Sequence, residues 1–412
     1  MAIIKPIQGV RPVRDKAHLV VSRALYTYKK HFLQAKMEEN PFTFLHIIQP
    51  ENEDNATTKP YSTERFKLVG EKYKEFKKEK ILVKDTKPSF YIYCQLKNKD
   101  RYIGIIGASS VEDYNNGLIK IHEQTITKRE EIFTQYLEVC GFNAEPVLLT
   151  YKDSPAIEKI IEKYAKQRAE YEFTTSDRIT HLLWPVFDAS DIKKIINAFK
   201  KVPSVYIADG HHRSSSSALL AAKINRKSKK EGMHNFCLAF FVAKSHLHIY
   251  DFNRLVKELN GLPVKDFLKK ISPYFEISQV TVNKAKPSKK HHFSFYCEGK
   301  WYLLKLKKGL IKAKDPLSNL DALILNQFIL EPVLGIKDLK TDNRISFMGG
   351  QKGMPGLQAL VDSGKYKAAF ALYPVSGEEL MHIADAGQMM PPKSTYIEPK
   401  LRSGLIIQEL FG

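Results

Sequence analysis

No stretch of this sequence approaches the roughly 18 apolar residues that a membrane-crossing helix needs, which argues against a helical membrane protein. Repeats of about 20 to 50 residues and long low-complexity tracts are missing too, which disfavours solenoids and disordered scaffolds. Cysteine is scarce. The four present, Cys94, Cys140, Cys237 and Cys297, lie far apart without C-x-x-C spacing, so they read as reduced thiols rather than a disulfide framework or a thiolate zinc site. The start, Met1-Ala-Ile-Ile-Lys-Pro, lacks a basic region followed by an apolar stretch. The expectation is a cytoplasmic protein with no membrane association. There is no P-loop, kinase-type glycine loop or dinucleotide fingerprint, which disfavours the standard nucleotide folds.

Acidic residues are also in short supply. Against 65 Lys and Arg stand 45 Asp and Glu, giving a net charge of +20 and pointing to an anionic partner: nucleic acid, membrane surface or phosphorylated metabolite. Much of the excess is lysine in polar clusters such as Lys77-Lys78, Lys227 to Lys230 and Lys284 to Lys290. Without interleaved aromatics these read as solvated surface before they read as a nucleic-acid groove.

What is present suffices for a globular protein. The 412 residues are 43% hydrophobic and 27% charged, enough for real cores and too long for one small domain. Two lobes are expected, residues 1–250 and 251–412. The pattern is mixed α/β, that is, α+β. Residues 60–80 form a charged helix whose Phe66, Val69, Tyr73 and Phe76 make one apolar stripe. Two β-rich runs around Asn98-Lys99 predict a hairpin, and a polar helix is predicted from about Ile121 to Val139. Ser204-Val-Tyr-Ile-Ala predicts a buried strand ending at Asp209, with a helix beginning after Arg213, and residues 235–243 predict a central strand.

The strongest local signal is Asp209-Gly210-His211-His212-Arg213 followed by Ser214 to Ser217. A strand delivers the chain to a glycine turn, and the helix that follows offers free N–H groups and a dipole to an anion. Arg213 could fork onto two phosphate oxygens, the histidines could move protons near neutral pH, and the serines could cap or bind. Asp209 could hold a divalent cation or orient a histidine. The plainer alternative makes Asp209 a helix cap, Arg213 half of a structural ion pair, and the histidines partners of backbone carbonyls. Zinc is disfavoured, because adjacent histidines diverge and no further ligand stands at metal spacing.

Two weaker groups accompany this turn. In His122-Glu123-Gln-Thr125, helical spacing would put Glu123, Thr127 and Glu130 on one face, where Glu123 could serve as a general base or as part of a solvated charged face. In Met390-Pro-Pro-Lys393-Ser394-Thr395-Tyr396-Ile-Glu-Pro-Lys400, two prolines hold the entry extended, and a cation with two hydroxyls could meet a phosphate. Arg254 and Arg344 offer further guanidinium groups, each a surface ion pair by default.

In order along the chain, Ile4-Lys-Pro, Asn40-Pro-Phe-Thr-Phe-Leu-His, His122-Glu-Gln-Thr, Ala208-Asp-Gly-His-His-Arg and Met390-Pro-Pro-Lys-Ser-Thr-Tyr resemble the family catalogued as domain of unknown function 1015. The resemblance implies a ParB/sulfiredoxin-like core elaborated by additional strands and helices. It also implies a kinase of free L-serine, moving a phosphoryl group from diphosphate or a nucleoside triphosphate to the hydroxyl with Mg²⁺ as helper. Carried over, it puts the turn residues Gly210, His212, Arg213 and Ser214 on the donor phosphates and makes Glu123 the candidate base. The chemistry of the residues themselves adds Asp209 and His211 as catalytic, with Asp209 on the metal, Lys393, Ser394 and Thr395 on phosphate, and His122, Thr125, Arg254 and Arg344 on substrate. Relatives carry a Pro-Tyr-Asp-like sequence after the N-terminal strand, where this chain has Ser22-Arg-Ala-Leu-Tyr26-Thr-Tyr28. The alternative function is a basic ParB-like nucleic-acid-binding protein or nucleotide hydrolase.

Overall fold

The computed structural model describes residues 1–51, 56–227, 231–311 and 315–411. Positions 228–230 of the basic cluster beginning at Lys227 lie outside them. The architecture is mixed α+β, divided into two compact units: Met1–Leu247 with Pro399–Gly412, and His248–Glu398. The sequence division near residue 250 ran the second lobe to 412. Here the last segment belongs to the first unit, because Gln408–Glu409 pairs with Phe142–Asn143 and Ile407 bridges Val10. Among the described residues, no helix is long and apolar enough to cross a membrane.

The first unit is organised by a nine-stranded sheet. Its spatial order is Ile119–Lys120, Val205–Asp209, Val147–Tyr151, Phe236–Ala243, Asp100–Ser110, Phe90–Lys97, Ile179–Val186 and Tyr171–Thr174, with Ile4–Lys5 also paired to Asp100–Ser110. The hairpin appears where expected, Lys97 facing Asp100 across a two-residue turn in which Asn98 takes φ 55°. Phe236–Ala243 is central, with neighbours on both edges and almost every residue buried, which its unbroken apolar run requires. The helix Thr63–Lys78 buries the predicted stripe of Phe66, Val69, Tyr73 and Phe76. Ser62 caps it by accepting from the Arg65 N–H.

Two helix starts differ from expectation. The helix predicted from Ile121 begins at Thr127, and Ile126 before it is extended at φ −105°, ψ 116°. Strand pairing of Ile119–Lys120 with Val205–Tyr206 and burial of His122 hold residues 119–126 along the sheet edge instead. Glu123 therefore does not share a helical face with Thr127 and Glu130. The helix expected after Arg213 starts at His211, so His211, His212 and Arg213 form its first turn.

The second unit is built on a six-stranded sheet, antiparallel throughout. Its order is Phe275–Val280, Lys300–Leu306, His292–Cys297, Ala368–Ala371, Phe252–Val256 and Ile345–Gly349. One cluster containing Val256, Phe267, Phe295, Leu325 and Phe370 forms a core, and Leu255, Tyr296, Trp301 and Leu357 belong to another. Alternation along Phe252–Val256 sends Leu255 and Val256 into different clusters, as the period-2 geometry of a strand demands.

Candidate active site

The corner between Val205–Asp209 and the helix His211–Lys227 is where the sequence signal lies. Register slips between Ile207 and Asp209 against Val147–Tyr151, a bulge that bends the chain as it leaves the sheet. Gly210 then takes φ +103°, a conformation open to glycine and strained for other residues. Space imposes the same choice. A Cβ at Gly210 would stand 3.0 Å from Nη2 and 3.1 Å from Nε of Arg213. The N–H groups of His211, His212 and Arg213 are in the first turn, where no intrahelical carbonyl is available. The first α-helical bond is Ser214 N–H to Gly210 O at 3.0 Å.

Arg213 faces back beneath the turn. Its Nη1 donates to the carbonyls of Glu145 at 3.2 Å and Pro146 at 2.5 Å. It also lies 3.3 Å from the Glu145 carboxylate, and Nη2 is 3.5 Å from Asp209. Burial works against the charge, yet Glu145 and Asp209 hold its pKa above the ordinary arginine value. Much of this guanidinium is thus committed to clamping the turn to the neighbouring strand entry. Glu145 is a residue the sequence did not single out. Lys400, the end of the C-terminal candidate segment but given no role from sequence, brings its Nζ to 3.9 Å from Asp209 Oδ2.

The histidines are brought together with Glu123. His122 and His211 are 2% and 5% exposed, with rings edge to face at 4.6 Å between centroids. The His122 backbone N–H donates to His211 Nε2 at 3.4 Å, so a neutral His211 carries its proton on Nδ1. That Nδ1 looks toward the Glu123 carboxylate, 3.8 Å away. In the same way the Ile126 N–H points to His212 Nδ1 at 3.5 Å. Burial pushes the His122 imidazole down to about 4, with Asp209 pulling weakly the other way. Burial, with His122 and His212 as further causes, puts His211 well below its ordinary value. Both rings are neutral near pH 7. Glu123 is 53% exposed and keeps a solvent-facing carboxylate beside them.

The serines divide by role. Ser215 Oγ donates to the Glu130 carboxylate and Ser216 Oγ to the Glu130 carbonyl at 3.1 Å, so these hydroxyls lash the helix to Thr127–Cys140. Ser214 is buried directly after Arg213, and Thr125 is half-buried in the segment before that second helix.

The remaining candidates lie in the second unit. Lys393 is exposed at φ +60°, its Nζ 5.6 Å from the centre of the Phe252 ring. Ser394 turns its hydroxyl onto the Pro391 carbonyl at 2.8 Å, and Thr395 is half-buried. Arg344 requires correction as a substrate ligand. Its five N–H groups serve Asp342, Glu258, Leu334 O and Gly335 O, a loop clamp that leaves no donor over. Arg254 is fully buried and, among the described residues, only its Nη1 is bonded, to its own strand's Phe252 carbonyl.

Mg²⁺ was implied by the family resemblance. Among the described residues, no group of three His, Cys, Asp or Glu could hold a metal ion. Asp209 is a single carboxylate already facing Arg213 and Lys400, so the described residues build no metal cage at this corner. Mg²⁺ held on donor phosphates needs only one or two carboxylates from a protein.

A cavity of about 620 Å³ opens elsewhere in the first unit, lined by Arg14, His18, Arg168, Phe173 and Thr180 among others. It sits by Tyr171–Thr174, the far edge of the nine-stranded sheet from Ile119–Lys120, and contains none of the candidate residues.

A bulged strand, a left-handed glycine and a helix N-terminus make this corner a strand-turn-helix on a mixed α+β scaffold. The chain belongs to the family described as protein of unknown function, DUF1015, whose model matches residues 4–323. No curated protein matches it. Among solved structures it is similar to a free serine kinase in complex with AMP, at 15% identity over 72% of this chain and 89% of that one, with a TM-score of 0.34. It is similar also to a conserved hypothetical protein from Pyrococcus furiosus, at 14% identity over 75% and 97%, TM-score 0.33. A third is C-terminally truncated SbnI from Staphylococcus aureus, at 11% identity over 71% and 82%, TM-score 0.38. These overlays are loose, and no residue role is carried across them.

Proposed function

We propose that the corner at residues 209–214 is a phosphoryl-transfer site and that the acceptor is a small hydroxyl compound, free L-serine first among them. The observation that carries this reading is the meeting of three features. Glu123 offers a solvent-facing carboxylate, His211 presents Nδ1–H to it from 3.8 Å, and the helix N-terminus opens beside both immediately after Gly210. The serine acceptor and the diphosphate or nucleoside triphosphate donor come from the family resemblance, together with a ParB/sulfiredoxin-like ancestry.

In this reading the terminal phosphate of the donor rests on the first-turn N–H groups of His211 to Arg213. The helix dipole and the Arg213 charge offset its negative charge there. The serine oxygen attacks the terminal phosphorus in line, the bond to the leaving nucleoside diphosphate (or to phosphate, when diphosphate is the donor) breaks, and the hydroxyl proton passes to a Glu123 carboxylate oxygen. His211, neutral because buried, orients Glu123 through Nδ1–H and does not itself take the proton. Mg²⁺, where bound, would supply charge neutralisation on the donor phosphates. Arg213 acts by holding the turn and by its field, since its Nη1 is occupied by the carbonyls of Glu145 and Pro146.

The test is incubation of purified protein with L-serine, Mg²⁺ and γ-labelled ATP or labelled diphosphate, with mass-spectrometric identification of the product. Label in O-phosphoserine supports the reading. Label only in inorganic phosphate makes the protein a hydrolase and overturns it.

A further inference from the structure

The second unit holds a charge without a partner. Arg254, in the middle of Phe252–Val256, is completely closed to solvent. Its Nη1 donates to the Phe252 carbonyl, while Nε and Nη2 have no hydrogen-bond partner among the described residues. Directly across the sheet stand Phe347 on one side and Phe370 on the other, and the Phe347 ring lies 5.3 Å from the guanidinium carbon. Aromatic faces stabilise a guanidinium modestly, but they satisfy none of its N–H groups.

A buried, unpaired guanidinium is among the costliest arrangements in a protein, and neutralising it is hard because arginine holds its proton so firmly. Burial brings the Arg254 pKa down to about 9, which leaves the group charged near pH 7. The two orphaned atoms are not a random pair. Nε and Nη2 lie along one edge of the planar guanidinium, with parallel N–H bonds at the spacing that matches two oxygens of a carboxylate or phosphate.

We propose that Arg254 anchors an oxyanion site in the second unit, receiving a carboxylate or a phosphate group edge-on through Nε and Nη2 with the Phe347 ring against its plane. This assignment stands apart from the phosphoryl-transfer reading, because it uses no residue of the 209–214 corner. The guanidinium is covered, so the anion enters by displacing side chains beside it, of which the half-buried Phe347 is in contact.

The experiment is calorimetric titration of the full chain, in a buffer containing chloride as its only anion, with inorganic phosphate, diphosphate, acetate and L-serine in separate runs. Arg254→Met and Arg254→Lys are titrated alongside. The expected result is that a phosphate probe or a carboxylate probe loses at least tenfold in affinity in Arg254→Met. Arg254→Lys, which keeps charge and loses the fork, should fall between the two. Loss for phosphate probes alone identifies a phosphate site, and loss for acetate and serine alone a carboxylate site. Wild-type affinity for every probe in both variants overturns the proposal. A crystal structure of the wild-type chain soaked with the tightest probe serves if either variant fails to fold. An oxyanion bonded to Nε and Nη2 supports the site, and those atoms bonded instead to protein carbonyls or water contradict it.

Discussion

Two arginines, one in each unit, show how the same side chain can be spent in opposite ways. Arg213 is surrounded: two carbonyls, Glu145 and Asp209 meet its guanidinium, and the charge is compensated within the protein. Arg254 is completely buried beside the Phe347 ring and has, among the described residues, a single bond, to a carbonyl. The lesson is that arginine content says little about anion binding until pairing is known. A compensated guanidinium shapes a site, and an uncompensated buried one leaves donors for a ligand to meet. Arg344 completes the series, since its donors are all consumed by Asp342, Glu258 and the carbonyls of Leu334 and Gly335.

The contrast is sharpened most by Glu123→Gln. Loss of a general base is worth about 10²–10⁴-fold in turnover. Serine phosphorylation should fall by that factor while anion binding at Arg254 is unchanged, and equal turnover in the variant would refute the base assignment. Acid should act next most strongly, and on the first unit. The unfolded chain protonates His122 near 6.5 and the folded chain only near 4, so the unfolded state binds more protons between those values. Stability is then full above pH 6.5 and declines as the pH falls toward 4, by about 3 kcal/mol for this one ring. Denaturant unfolding at pH 7 and pH 4.5, compared between wild type and His122→Leu, measures it. A wild-type slope no steeper than the variant's would contradict buried neutral histidines.

Removing the clamp comes third. Arg213→Met leaves Glu145 and Asp209 facing each other's charge, and because both are partly exposed the cost is about 2–3 kcal/mol in unfolding free energy rather than the full penalty of a buried pair. Arg254→Met in chloride buffer should behave oppositely, costing little or adding stability, since it removes an unpaired charge. Gly210→Ala follows at about 2 kcal/mol, from backbone strain and from the Arg213 contact, and should lower donor affinity in the same sample. The smallest effect belongs to Arg344→Ala, about 1 kcal/mol in stability with serine phosphorylation unaltered.

Much of the corner was legible from local pattern. An apolar run, a glycine and a polar helix start read as strand, turn and helix, a 3.6-residue periodicity marked Thr63–Lys78, and two β-rich runs around a turn marked the hairpin near Asn98. What stayed hidden is tertiary. Nothing near Glu145 or Lys400 in sequence says that both approach Asp209–Arg213, since each arrives from a different strand or tail. The start of Thr127–Cys140 was misplaced because helical spacing continues upstream, while a sheet-edge pairing and a buried His122 overrule it. The three arginines are equally unreadable, because pairing and burial depend on which strands become neighbours.

The account rests on Glu123 acting as the base for transfer to a serine hydroxyl at the 209–214 corner. Phosphorus NMR of the wild-type protein and Glu123→Gln, each with Mg²⁺, L-serine and ATP or diphosphate, follows the donor and product peaks together. A phosphomonoester peak that grows with one donor in the wild type and at least 100-fold more slowly in the variant is the predicted result. No such peak with either donor, or one that grows equally fast in both proteins, would contradict it.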